Sequence, residues 1–199
     1  MILGLGNTIP SDSVRQGLGG GGGGGGFDNN YSLVFDGVDD YINTGASTLS
    51  GETAISVSAW VYPTSYGGAA AESIISTEQS SPNRGFYLGL YNNQNFRWQI
   101  STSGSSKDTL LTAGSTVTLN AWQHVLAVWT QSTMSLYING VLSKTQSTSS
   151  AAGTFTTTND LLLGARLTSA GFFEGNIDEV AIWNSDQSSN IGSIYSASG

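Results

Sequence analysis

The dominant feature of this 199-residue chain is what its apolar residues do from Phe27 onward. They fall in short runs rich in Val, Ile, Thr, Tyr, Phe and Trp, punctuated by Gly, Asn and Ser, at 31–36, 53–62, 73–77, 86–91, 96–101, 122–130, 134–138 and 177–183. Nowhere does a helical period of 3.6 persist for about a dozen residues. Ile55, Val57, Ala59 and Val61 alternate with Ser56, Ser58 and Trp60, while Met134, Leu136 and Ile138 alternate with Ser135 and Tyr137. Each run therefore offers one apolar face to a core and one mixed face outward.

Asn139-Gly140 adds a two-residue hairpin signal, because both central positions of such a turn favour positive φ. The tail holds the one helical candidate, a short turn carrying Ile191, Ile194 and Tyr195 that Asp186 is placed to cap. Many short antiparallel strands in about 170 residues predict an all-β fold, a two-sheet antiparallel jelly-roll sandwich. Eight consecutive glycines at 19–26 divide the sequence, giving an extended N-terminal arm at 1–18, a linker at 19–26 and a body at 27–199.

Composition removes several functions. Only 10% of residues are charged, 14 acidic against 6 basic, and six dispersed bases do not form the cationic surface that nucleic acid requires. Without cysteine there are no disulfides, thiolate metal sites or cysteine nucleophiles. No apolar run approaches a membrane span, and the first residues lack the basic start and apolar core of a secretory signal. No membrane partner and no secretory export are therefore expected.

Five blocks carry a resemblance. Ser32-Leu-Val-Phe-Asp-Gly-Val-Asp-Asp-Tyr-Ile42, Ile55-Ser-Val-Ser-Ala-Trp-Val61, Asn120-Ala-Trp-Gln-His-Val-Leu-Ala-Val128, Ser135-Leu-Tyr-Ile-Asn-Gly-Val141 and Phe173-Glu-Gly-Asn-Ile-Asp-Glu-Val-Ala-Ile-Trp-Asn184 occur in order. Over residues 31–199 they resemble laminin G-like, concanavalin A-like jelly-roll domains. That resemblance implies two curved sheets of six or seven strands and a role in glycan binding, protein binding or structure. It also places Trp60, Trp122, Trp129 and Trp183 in framework blocks, where core packing is expected.

The family is also similar to laminarinases and lichenases, so catalysis has to be considered. Retaining glycosidases need two carboxyls about 5–5.5 Å apart. No Glu-x-Asp-x-x-Glu spacing occurs, and Glu72 and Glu78 have no acid between them, so no enzyme is expected. His124, the one histidine, alternates with Trp122, Leu126 and Val128 and reads as a packed strand residue.

Asp36, Asp39 and Asp40 supply three carboxylates within five residues, a donor set suited to calcium. By resemblance, a calcium ion would join this loop to the last long strand, which makes Asp36, Asp39 and Asp178 the candidate ligands. The alternative is an ordinary Asp-Gly turn beside a hydrogen-bonded strand acid.

For glycans, an exposed aromatic beside planar polar side chains is required. Residues 62–66 and 84–99 have that composition. In the second stretch Tyr87, Tyr91, Arg97 and Gln99 alternate away from the core and become the candidate glycan contacts; the alternative is an ordinary polar outer face.

The Met-x-Leu-Gly-Leu-Gly start and the glycine run before such a domain resemble small tailed-bacteriophage virion proteins. This implies a head decoration or surface appendage, assembled in the host cytoplasm and localised to the virion. Ile2, Leu3, Leu5, Ile9, Val14 and Leu18 would anchor it to other virion proteins in an oligomeric assembly, and the knob would adhere to cell-surface glycans. A stand-alone carbohydrate-binding lectin is the alternative.

Overall fold

The computed structural model describes residues 31–46, 49–66, 71–91 and 94–197. The expected arm, the glycine linker and the anchoring residues Ile2, Leu3, Leu5, Ile9, Val14 and Leu18 lie outside the described residues.

Two six-stranded antiparallel sheets face each other. The first runs β1 (Leu33–Asp36), β12 (Glu174–Trp183), β3 (Ala54–Pro63), β8 (Gln123–Thr130), β9 (Thr133–Ile138) and β10 (Val141–Ser147) in spatial order. The second runs β2 (Ile42–Ala46), β11 (Asp160–Leu163), β4 (Glu72–Ser76), β5 (Phe86–Tyr91), β6 (Asn95–Ile100) and β7 (Asp108–Leu111). The alternation seen in sequence builds the core directly. Ile55, Val57, Ala59 and Val61 from β3 meet Phe86, Leu88 and Leu90 from β5 and Phe96, Trp98 and Ile100 from β6 in one buried cluster. Asn139 and Gly140 take φ of 49° and 78°, the left-handed values that a tight β9 to β10 hairpin needs.

Strands β2, β7 and β11 are absent from the sequence-based expectation. Each has four or five residues, and β2 contains Gly45 at a φ of 85°. Such short segments show too little alternation to stand out.

The tail forms a single 3₁₀ turn, Ser188–Asn190, and then α1, Ile191–Ala197. The N-cap position is Gln187, not Asp186 as expected; the Asp186 carboxylate, one residue earlier, accepts the Ser188 amide at 2.8 Å. Tyr195 of α1 stacks on Trp60 at 5.6 Å and lies 5.6 Å from the His124 ring, so the helix is seated on the outer face of the first sheet. Among the described residues no helix is long and apolar enough to cross a membrane.

Candidate functional site

The outer face of the first sheet is built in rows by strand register. Asn176 of β12 lies opposite both Val34 of β1 and Tyr62 of β3. Asp178 and His124 lie opposite Trp60 in the adjacent row. The helix closes that adjacent row: His124 is fully buried, its Nε2 is 2.7 Å from the Ser58 hydroxyl, and its ring is 5.4 Å from Trp60. Burial pushes its pKa down to about 4, leaving a neutral imidazole at pH 7.

Beyond the helix the face is open. Trp122, one residue before β8, is 43% exposed and packs 5.6 Å from the half-buried Tyr62 ring with the planes 59° apart. This corrects the expectation that Trp122 belongs to the core; Trp129 alone of the four framework tryptophans is fully buried. Polar groups flank the pair. Asn176 donates to the Ser32 hydroxyl at 2.9 Å, and Glu174 Oε1 accepts from Thr64 Oγ1 at 3.4 Å. The composition of residues 62–66 pointed here; the partner Trp122 was hidden by its place in a framework block.

The outer face of the second sheet brings together the four predicted glycan contacts, but not as a surface. Tyr87 and Gln99 are essentially inaccessible and Arg97 is 9% exposed, which corrects their reading as surface residues; Tyr91 is half-buried. Tyr87 turns its hydroxyl inward and donates to the carbonyls of Glu72 and Leu90 at 2.7 and 2.9 Å, passing over Gly89. Its burial raises the phenol pKa, against the pull of Arg97. The Arg97 guanidinium lies 4.8 Å from the Tyr87 ring and 4.7 Å from the Tyr91 ring, and donates to Gln99 Oε1 at 2.9 Å.

Gln99 Nε2 donates in turn to Glu78 Oε2, while Glu78 Oε1 accepts from Arg84 at 3.1 Å and Arg166 at 2.7 Å. Both oxygens of this buried carboxylate are therefore engaged. Sequence reading missed Glu78, Arg84 and Arg166 as a set because the β4–β5 loop that carries Glu78 and Arg84 meets Arg166, from the loop after β11, only in the fold.

The three clustered carboxylates sit at the end of β1. Asp36, Asp39 and Asp40 are exposed, with one oxygen of each within 4.8 Å of the others. Asp36 Oδ1 accepts the amides of Val38 at 2.8 Å and Asp39 at 3.4 Å, and Asp40 Oδ2 accepts the Asp36 amide at 3.1 Å. The Val38 amide leads in holding the Asp36 carboxyl below its ordinary pKa. Asp178 does not join them. Asp36 faces Glu174, and Asp178 lies four residues further along β12, about 13 Å of strand away. The corner's oxygen donors fit a hard cation, though two of its three carboxylates already close the turn.

Comparison with known proteins bears on this geometry. The Laminin_G_3 family profile, described as concanavalin A-like lectin/glucanases superfamily, matches residues 36–190. No curated protein matches the sequence at a significant level. Among solved structures, a heptameric SAP-like pentraxin from Limulus polyphemus superposes with a TM-score of 0.64 at 15% identity, covering 82% of this chain and 81% of that one. The botulinum neurotoxin serotype D ligand binding domain, in complex with N-acetylneuraminic acid, gives 0.62 at 19% identity over 83% of this chain and 41% of the toxin fragment. Domains LG4-5 of the mouse laminin alpha1 chain give 0.58 at 13% identity over 76% and 40%. The chain thus spans less than half the length of the toxin and laminin fragments it matches.

Proposed function

Because the chain belongs to the concanavalin A-like lectin/glucanase superfamily through its laminin G-type domain, we propose that it is a carbohydrate-binding module acting through Tyr62 and Trp122. The observation that carries this reading is the exposed Trp122 indole, braced by Tyr62 and flanked by Asn176 and Glu174. An open aromatic ring stacks on the apolar face of a pyranose, and planar amide and carboxylate groups beside it hydrogen-bond the hydroxyls. The sialic acid complex of the similar toxin domain supports this class of ligand.

The site binds without breaking bonds. Glu78, the buried acid of the opposite face, has both oxygens committed to Arg84, Arg166 and Gln99 and presents neither to a glycosidic bond. Glycan-array screening followed by titration of the best ligand tests the proposal. Trp122→Ala should weaken binding at least about tenfold, the equivalent of roughly 1.4 kcal/mol, with an unchanged melting temperature. Undiminished affinity in that variant overturns it.

Two finer readings accompany this one. Calcium belongs to Asp36, Asp39 and Asp40, without Asp178, as an accessory ion of the corner; millimolar calcium should raise the melting temperature of the wild type and not of Asp39→Asn. The virion role rests on the sequence of residues 1–26, where an apolar arm precedes the glycine run, and the heptameric state of the similar pentraxin accords with an assembly. Deleting residues 1–26 should abolish incorporation into particles, and incorporation of the deleted chain would end that reading.

A further inference from the structure

Three of the six cationic side chains, Arg84, Arg97 and Arg166, are tied together through Glu78 and Gln99 on the outer face of the second sheet, and a fourth, Lys107, lies within their electrostatic reach. They arrive from separate segments: the loop after β4, strand β6, the residue before β7 and the loop after β11. Facing them are two carboxylates, Glu72 and Glu78, so the group holds more positive than negative charge within a chain of net charge −8.

Such an excess is unfavourable in a folded protein unless something compensates it. The Lys107 ammonium feels it. Burial lowers its pKa, and the three guanidiniums add to that against the attraction of Glu78.

Donor capacity is also unfilled. Arg97 Nε and Arg166 Nε are buried with no acceptor among the described residues. The Arg84 and Arg166 side chains keep 23% and 31% of their surface exposed while Glu78 Oε1 holds both in place. Arg84 also borders an open groove of small polar residues that includes Asn83, Gly104 and Thr158, which leaves room for the body of a ligand.

We propose that this face is a second binding site, for a carboxylate or sulfate oxyanion, held by Arg84, Lys107 and Arg166 above a floor of Tyr87, Arg97 and Gln99. Fixed guanidiniums suit the multiply accepting oxygens of a planar carboxylate or a tetrahedral sulfate, and a rigid floor lowers the ordering cost of binding. The site lies on the opposite sheet from Tyr62 and Trp122 and is independent of them.

Isothermal titration at constant ionic strength with sodium sulfate, sodium galacturonate and galactose tests the proposal. With the first site removed by Trp122→Ala, sulfate or galacturonate should bind and galactose should not; the anion that binds identifies the source of the oxyanion. Arg84→Gln and Arg166→Gln strip partners from buried Glu78 and can unfold the protein, so Lys107→Gln is the primary variant. It should weaken anion binding about fivefold or more, whereas Lys144→Gln on β10, a strand of the first sheet, should not change it. Failure of both anions to bind, or equal affinity in the two lysine variants, overturns the proposal. Trp122→Ala should retain anion binding, so failure at either site is separable from failure at the other.

Discussion

At the scale of single residues, two positions carry unusual constraint. Gly89 has no side chain because the Tyr87 hydroxyl occupies that space. A Cβ there would collide with Tyr87 Oη and with the Glu72 carbonyl oxygen. Gly89→Ala should therefore cost about 2–3 kcal/mol, measured by denaturant unfolding, and should loosen the Arg97 floor with it. His124 sets an acid limit. Burial holds its folded pKa at about 4 against an ordinary 6.5, so on acidification the unfolded chain takes up its proton first. Stability is complete above about 6.5 and falls toward pH 4 by roughly 3 kcal/mol; His124→Gln should flatten that part of the profile in pH-dependent melting. The polar alternation of Tyr87, Arg97 and Gln99 was legible in sequence, but their burial was not. It depends on Glu78 and Arg84 from the preceding loop, on Arg166 from a loop more than sixty residues further along the chain, and on an inward turn of Tyr87 that Gly89 permits.

Among the elements, the free edges of the two sheets are tied at one corner. Asp108 at the start of β7 accepts the amides of Ser149, Ser150 and Ala151 at 2.7, 2.9 and 2.8 Å, and the Ser149 hydroxyl at 2.7 Å. Ala151 in turn accepts the Trp129 indole N–H from β8 at 2.9 Å, so one carboxylate links the second sheet to the core of the first. Partial burial works against the charged form, yet the Ser149 hydroxyl and the three amides prevail and depress its pKa. The stability it provides is present above the ordinary value of 3.8 and is lost as pH falls through the depressed one. Asp108→Asn should cost about 1–3 kcal/mol at neutral pH and remove that part of the acid transition, as thermal melts at several pH values would reveal. The longer strands were readable because alternation over six to ten residues, as in β3 and β5, specifies both strand and facing. The short strands β7 and β11 are defined by their neighbours instead: Asp108–Leu111 exists as a strand because β6 offers it an edge.

For the whole molecule, charge is partitioned between the two outer faces. One sheet presents an aromatic pair among neutral and acidic groups; the other gathers most of the positive charge of an acidic protein. Neutral sugar binding at Trp122 should therefore hold steady as salt rises from about 20 to about 200 mM, while oxyanion binding on the opposite face weakens several-fold; titrations at both salt levels would separate the two. The seat of α1 has a further consequence. Tyr195 lies nearly parallel to Trp60, 22° apart, in the row next to Tyr62 and Trp122. A planar ring from the chain itself already covers the Trp60 face beside that pair. On the proposed glycan-binding reading, the helix would act as an end-stop on the aromatic strip and favour a terminal sugar residue over the interior of a long polysaccharide.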